Sequence, residues 1–581
     1  MELSKYQKII IDWLKNGKGN GICNAVAGSG KSTTLKLAAY ALKEAGIHPW
    51  QIKIIVFGKA NSEDLVKKFG LDWKQSISTL HSAGYSLVIS ALDLKNPRLA
   101  TVNGYKYKKI AQELGYLSYR QGKTSVTGSL LSEKAIEHES DFIKLLQLIR
   151  LTNQEPYSEN VATLCSHFEM PDVSEFDIVA SALSECLQEG EAQARKDYIF
   201  DYTDQIWLPV KWRIGDRNWF KPYQFVLVDE CQDLNAAQLE LSLMLAGKTG
   251  RLLYVGDPRQ AIYGFAGADC DSYSNILKRT KCIELPLSLC YRCPKTHIAL
   301  VNRLFPEIPI EAHQDAKEGI LEQVKEQILD EYLNVGDMVL CRKTAPLVSL
   351  CIHLIAKGIP ARVKGKDIGE VIKKELDEIS KMPNFQYKNF GKALGLYEKI
   401  KSERFKGLDN EEELIESLND KLSALSAIYH SKPEVNSING LKQEIDDLFT
   451  NEESPVTLAT CHRAKGLEGE RIFIIEPDKM PLKWKNQQEW QEIQEDNLLY
   501  VALTRSKSEL YIVGEAQWFE KETSETSEKL EENGQLQAVS ELEDVSEKLE
   551  DIKEKVATAI EELSAQQKTR LKESICQLQN H

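Results

Sequence analysis

Residues 25–33 read AVAGSGKST, and the reading of this stretch decides the fold. An apolar run, 21–26, precedes it and a helical run, 33–42, follows, so the order is strand, glycine-rich loop, helix. Gly28 and Gly30 let the backbone curl until consecutive N–H groups face inward, a cage of donors suited to a phosphate chain. The N-terminus of the next helix adds partial positive charge. Lys31 can reach the outer phosphates, and the Ser32 hydroxyl can ligate Mg²⁺. Lysine followed by serine in this register has no packing purpose. Ala25 stands where the strict pattern has glycine, so the match is to the GSGK[ST] end.

The chain has 581 residues, too many for one core, and 42% of them are hydrophobic, ordinary for a water-soluble protein. No apolar run approaches the ~18–20 residues of a membrane span, and the first fourteen residues lack the pattern of a signal peptide. Twelve cysteines are spread along the chain, as reduced thiols of an intracellular protein would be. One cluster, Cys270, Cys282, Cys290 and Cys293, contains a single C-x-x-C pair and leaves a metal site open. A net charge of −14 excludes a protein basic all over, but not one with a local basic groove.

Taken in order, residues 3–14 read as an amphipathic helix with Ser4 as N-cap. Read alone, Gln7 is a surface glutamine whose amide would also suit an adenine edge. Residues 52–57 form a second buried strand, and strand ends of a parallel sheet are where ligands bind. The polar segment 76–84 carries Thr79 and His81, the latter a loop or core histidine as readily as a ligand. From 89 to 195 the pattern is helical and charged, with basic-aromatic stretches at 105–109 and 120–123 that suit either nucleic acid or a solvated face.

Sheet logic resumes at FVLVDECQD, 225–233, where a buried strand delivers two acids to its C-terminal end. Asp229 can hold Mg²⁺ and Glu230 can orient or deprotonate water. A further strand, 252–255, ends at GDPRQ, and Gln260 sits where a side chain could sense a γ-phosphate. Tyr263 and Phe265 follow, aromatics separated by glycine that make good stacking platforms for bases. A second α/β pattern begins near Leu285, with strands at 337–342, 359–363, 456–459, 471–475 and 511–514, and an apolar helix at 497–505 ending in Arg505. From 515 the composition changes to seventeen acidic against eight basic residues. There Leu542, Val545, Leu549, Ile552, Val556, Ala559 and Leu563 recur at threes and fours, about three heptads of a coiled coil or of a helix that binds a partner.

With these motifs in this order, residues 3–514 resemble the UvrD/Rep-like superfamily 1 DNA helicases, and the KGKDIG segment at 364–369 with the short second insert is similar to the smaller, phage-type or F-box-helicase-like members. The resemblance implies an α/β fold of two RecA-like P-loop NTPase cores with parallel sheets, each carrying a mostly helical insert, with the acidic helical tail outside it. The expected divisions are 1–88 and 196–284 for the first core with its insert at 89–195. The second core takes 285–365 and 455–514 with a reduced insert at 366–454, and the tail is 515–581.

The resemblance also implies roles. Ala27, Gly28, Ser29, Gly30, Lys31, Ser32 and Thr33 would cradle ATP. Ser32 and Asp229 would hold Mg²⁺, Glu230 would be the base and Gln260 the γ-phosphate sensor. Gln7 and Tyr291 would take adenine, Glu468 the ribose, and Arg292 and Arg505 would be arginine fingers. Phe57, Lys59, Thr79, His81, Tyr263, Phe265, Thr460 and His462 would line the DNA path.

This chain departs from the family in its FGKA loop at 57–60, one residue shorter than the common form. It also has Phe265 and Ala266 where many members have Trp and Arg. The implied activity is 3′→5′ translocation on single-stranded and tailed duplex DNA, cytoplasmic, in the nucleoid or at a viral replication site. The implied settings are DNA repair or replication, with a protein partner or a second copy at the tail and no membrane. The rival reading is an ATP-gated DNA clamp or scaffold that recruits a partner through the tail without unwinding.

The aromatic pair yields a direct expectation. Stacking one base on a ring contributes about 1–3 kcal/mol, small beside the phosphate contacts that dominate affinity. Phe265→Ala should therefore keep basal ATP turnover, weaken single-strand binding modestly and cut unwinding far more than hydrolysis, whereas Phe265→Trp should remain active. Thermal melting beside a strand-displacement assay checks it: a large fall in melting temperature with joint loss of both activities assigns Phe265 to a core instead.

Overall fold

The strand that opens the glycine-rich stretch, β1 (Gly21–Ala25), lies inside a six-stranded parallel sheet of the computed structural model. Its companions are β2 (Ile52–Ile55), β3 (Ile77–Ser78), β4 (Phe225–Val228), β5 (Arg251–Gly256) and β6 (Ile283–Leu287), in the order β6-β1-β5-β4-β2-β3. The structure describes residues 3–519 except 122–123, 127–130, 132–134, 137–138, 169, 171–172, 263, 265–270, 407–410 and 451–454. Residues up to 515 form one compact unit, and 516–581 belong to another.

The strands are apolar runs because both faces of this sheet are covered. Side chains alternate between faces, so Ile52, Ile54, Phe225, Leu227, Leu253 and Val255 pack on one side, with Ile10, Leu14, Leu35 and Leu42. Val226, Val228, Leu252 and Tyr254 pack on the other, with Leu241 and Leu245. The first of these layers comes from helices α1 (Lys5–Asn16) and α2 (Lys31–Glu44). Ser4 caps α1 through a reciprocal box with Gln7, and this together with burial makes Gln7 an interior residue rather than a surface one.

A second sheet has seven parallel strands: β7 (Ile320–Val324), β8 (Met338–Cys341), β9 (Ala361–Lys364), β10 (Phe449–Thr450), β11 (Val456–Thr460), β12 (Gly469–Ile475) and β13 (Ser506–Val513), ordered β7-β13-β12-β8-β11-β9-β10. Strand β6 spans the expected division at 284/285. It pairs in register with β1, Ile283 opposite Gly21 and Leu287 opposite Ala25, so the chain leaves the first sheet only after Leu287. Its polar, exposed residues mask an edge strand, and only Leu285 and Leu287 turn inward.

Each sheet carries a helical excursion. Helices at Lys106–Glu113, Glu139–Leu151, Ser158–His167 and Phe176–Lys196 surround a hydrophobic core that runs on into Val88, Trp207 and Leu208. Helices at Lys366–Ser380, Phe390–Phe405, Glu411–Ser431 and Ile438–Leu448 instead share one continuous core with the second sheet.

The first excursion is rooted by a buried ionic network. Lys106 donates to Asp204 at 2.5 Å, and Tyr107 donates to the same carboxylate at 2.9 Å. Arg150 forks onto Asp201 at 2.8 Å through both terminal nitrogens and reaches Asp204 at 3.0 Å. The Lys106 and Asp204 side chains are wholly buried. Removing one partner from such a group strands the opposite charge at a cost of about 3–5 kcal/mol. Asp204→Ala is therefore expected to destabilise the protein by about that amount, read as a lower denaturant midpoint. Asp201→Ala, which leaves Lys106 paired, should cost less.

Candidate nucleotide cleft and nucleic-acid groove

The loop between β1 and α2 opens onto a cleft of about 500 Å³ lined from both sheets, by Gly28–Thr33, Asp229, Glu230, Asp233 and Gln260 on one side and Arg292, Lys465, Gly466, Glu468 and Arg505 on the other. Gly28 and Gly30 have φ of +68° and +77°, the left-handed region that glycine alone enters at no steric cost. A Cβ on Gly28 would stand 2.6 Å from the Cβ of Arg292, so the loop closes against the second half of the molecule. The Ser29 hydroxyl is buried without a hydrogen-bond partner. An orphaned donor inside a cage of N–H groups fits an anion.

Lys31 enters this cage and forms an ion pair with Glu230 at 3.2 Å. Burial opposes its charge, but Glu230, Asp257 and Asp229 outweigh burial and raise its pKa. Burial would also raise Glu230, yet Lys31 and Lys465 hold it at about 2. Burial, then the neighbouring Glu230 charge, pushes Asp229 up to about 7. The Ser32 hydroxyl lies 3.5 Å from Asp229 Oδ2. That pair of oxygens suits a hard divalent cation, whose charge would favour the ionised carboxylate. Glu230 itself sits at φ +48°, a left-handed conformation that turns the chain sharply at the end of β4.

Several side chains cross between the two sheets' layers. Lys465 donates to both Asp233 oxygens at 2.7 and 2.6 Å and to the Gln260 carbonyl at 2.5 Å. Burial raises Asp233 to about 6 even beside that lysine. Tyr500, on the helix Glu489–Leu503, accepts from the Ala27 N–H at 2.8 Å and donates to Asp257 at 3.1 Å. From the same helix, Gln494 accepts from the Gly264 N–H at 3.2 Å, and Asn497 donates to the Ala261 carbonyl at 3.0 Å. Arg292 donates to Glu468 at 2.9 Å and to the Thr504 carbonyl at 3.1 Å. Gln260 is buried and donates to Asp257 at 2.7 Å.

A second cavity, about 710 Å³, opens at the C-terminal ends of β2 and β3. Phe57, Lys59, Thr79 and His81 all line it. Thr79 caps the helix Leu80–Ala91, which places His81 in its first turn. Burial lowers the His81 pKa, which favours its neutral form. Val56, Phe57 and Asp229 line both cavities, so groove and cleft share a wall.

The other expected residues are placed as follows. Tyr291 is half exposed, with its ring 4.9 Å from that of His313, and Gln7 donates to Thr34 Oγ1 at 3.3 Å; neither lines the cleft. Arg505 lines the cleft but is turned inward, donating to the Val501 carbonyl at 2.7 Å and to Thr504 Oγ1 at 3.0 Å. Glu468 is engaged by Arg292 and, at 2.6 Å, by Lys507. Thr460 caps the short helix Cys461–Ala464, and neither it nor His462 lines the two cavities described. Tyr263, Phe265 and Cys270 lie outside the described residues, as does the tail from 520. Among the described residues, no group of three or more His, Cys, Asp or Glu could hold a metal ion.

The sequence reading passed over Lys465, Tyr500, Asp233, Asp257 and Tyr202. The first two are polar groups inside otherwise recognisable segments, TCHRAKGLE and NLLYVALTR, and Asp233 closes DECQD. Tyr202 lines the groove and is 64% exposed, directly beside the buried carboxylates Asp201 and Asp204; an exposed aromatic between two acids is its only sequence signal.

Comparison with known proteins gives two family models: the UvrD/REP helicase N-terminal domain over residues 8–281 and the UvrD-like helicase C-terminal domain over 455–513. A probable DNA helicase II homolog of Mycoplasma pneumoniae is 24% identical over 88% of this chain and 84% of its own length. F-box DNA helicase protein 1 of Schizosaccharomyces pombe is 22% identical over 88% of this chain and 57% of its own. The ATP-dependent DNA helicase PcrA of Bacillus subtilis is 26% identical over 46% of this chain and 34% of its own.

His462 provides a pH test. Burial, with Arg342 nearby, lowers its pKa to about 3, against about 6.5 in an unfolded chain. The unfolded state therefore binds the proton first, and stability contributed by this group is lost as pH falls from about 6.5 toward 3. His462→Gln should flatten the decline in melting temperature between pH 7 and pH 5; an equal decline in both proteins would show that His462 does not titrate this way.

Proposed function

The chain belongs to the UvrD/REP helicase family of ATP-hydrolysing DNA helicases, and we propose that it moves 3′→5′ along single-stranded DNA, driven by Mg²⁺-dependent ATP hydrolysis in the cleft between its two sheets. The observation that carries this reading is the shared wall: Asp229 and Phe57 line the nucleotide cleft and the neighbouring groove at once. A change at the first cavity has no intervening layer to cross before it reaches the second.

In this reading Lys31 exchanges Glu230 for phosphate oxygens, and Glu230, released, orients or deprotonates the attacking water. Ser32 and Asp229 would hold Mg²⁺, which when bound neutralises phosphate charge. Arg292 supplies positive charge from across the cleft, exchanging Glu468 for phosphate. Gln260 reports the change through its backbone to Lys465 and through Ala261–Gly264 to the aromatic segment beyond. Phe57, Thr79, His81 and Tyr202 hold bases and Lys59 a phosphate, the mixture of stacking and charge that suits a single strand. The substrates are single-stranded DNA and tailed duplexes. Among the described residues no helix is long and apolar enough to cross a membrane.

Strand displacement on duplexes with a 3′ or a 5′ tail, with and without ATP and Mg²⁺, tests this. The expected result is displacement of the 3′-tailed duplex alone. ATP turnover with no displacement from either duplex would replace the motor with an ATP-gated clamp. Lys31→Ala should lower turnover by roughly 10²–10³-fold with an unchanged circular dichroism spectrum, and near-normal hydrolysis would remove Lys31 from the site.

A further inference from the structure

Tyr291 and Arg292 are flanked by two cysteines, giving Cys-Tyr-Arg-Cys at 290–293. Both thiols are free and buried. The Cys293 N–H points at Cys290 Sγ, 3.4 Å away, and the two thiols share a hydrogen bond. Cys293 Sγ also lies 3.5 Å from the Thr504 carbonyl, the alternative acceptor for its one S–H and the same oxygen that anchors the Arg292 guanidinium. On its other side, Cys290 Sγ rests on the phosphate-binding loop: a Cβ built on Gly28 would come within 2.8 Å of it. The Tyr291 N–H donates to the Gly28 carbonyl at 2.9 Å. The pair is therefore wired to the loop at one end and to the Arg292 anchor at the other.

The two sulfurs differ in acidity. The hydrogen bond from Cys293, more than burial opposes it, brings Cys290 down to about 7. Cys293, the donor, is raised well above the ordinary thiol value. The other described cysteines are raised, with burial as the leading cause. A thiolate beside a resolving thiol is the arrangement of a redox-responsive pair.

We propose that Cys290 and Cys293 form a reversible disulfide under hydrogen peroxide and that this bond stops ATP turnover by displacing Arg292 from its place in the cleft. The Cys290 thiolate attacks one peroxide oxygen and the O–O bond breaks, giving Cys290 sulfenic acid and, after protonation, one water. The Cys293 sulfur then attacks the Cys290 sulfur as its proton is lost, and the S–O bond breaks to release a second water. Two thiols and one peroxide become one disulfide and two waters; the sulfurs lose two electrons and the peroxide gains them. Cys290 is buried, and Gly28 and Arg292 beside it line the nucleotide cleft, so the proposed route for peroxide is from that cleft past these two residues. The new bond draws Cys293 Sγ off the Thr504 carbonyl and Cys290 Sγ off Gly28, and the Tyr291-Arg292 pair between them must follow.

The full-length protein is treated with hydrogen peroxide, quenched, and examined by thiol titration and peptide mass mapping. Two of the twelve thiols should be lost, and the fragment spanning 290–293 should be lighter by two hydrogens. ATP turnover should fall at least tenfold and return with dithiothreitol. Cys290→Ser should keep after peroxide whatever turnover it had before, and Cys293→Ser should form no disulfide within this segment. Thiol loss mapping elsewhere, or a mapped 290–293 disulfide with undiminished turnover, overturns the proposal. The mapping on the unaltered protein stands even if a variant folds poorly, and it reads the disulfide whether or not the protein unwinds DNA.

Discussion

A buried ammonium group cannot be left uncompensated, and Lys31 sets the terms for the whole cleft. Its charge is met by Glu230 at 3.2 Å, with Asp229 and Asp257 contributing. The same pairing keeps Glu230 ionised and leaves Asp229 as the carboxylate that burial pushes up. One lysine thus separates two adjacent acids into distinct states, the arrangement by which neighbouring carboxylates take different tasks. Under the proposed function, a phosphate chain entering the cage would compete with Glu230 for that lysine, and its binding would release the base.

The rest of the architecture carries this local exchange outward. Lys465 spans from the second sheet's layer to Asp233 and the Gln260 carbonyl, and Tyr500 spans to Ala27 and Asp257. These contacts end on the residues that surround Lys31. In the proposed mechanism, rearranging the charges there would change what Lys465 and Tyr500 hold, and the packed sheets would pass the change on as movement of whole layers. The helix Glu489–Leu503 strengthens this coupling because it grips Ala261 and Gly264, the backbone leading to the aromatic segment.

The two excursions are built differently. The first has a hydrophobic core that runs on into Val88, Trp207 and Leu208, and beside it an ionic root in which Lys106, Arg150, Asp201 and Asp204 satisfy one another. Directional bonds of that kind fix orientation more strictly than apolar contact does, and they hold Tyr202 at the groove. The second excursion merges its core with that of the sheet, so it has no separate interior to rotate about.

By itself the sequence determined the periodic and the punctuated parts of this protein. The apolar runs at 225–228 and 338–341 were legible as buried strands, and GSGKST before a helix as a loop of the phosphate-binding type. Edge strands were illegible: β6 exposes Ile283 and Glu284, so no alternation marks it, and only its register with β1 assigns it to the first sheet. Gln7 looked like a surface residue because one polar side chain carries no sign of its capping partner or of the helix packed above it. Lys465, Asp233, Tyr500 and Asp257 are distant in the chain, and their significance is the hydrogen bonds between them and the cleft. Local pattern records which face of a strand or helix is apolar; which polar groups meet across two layers is decided only when the layers pack, because long-range pairing leaves no period in the chain.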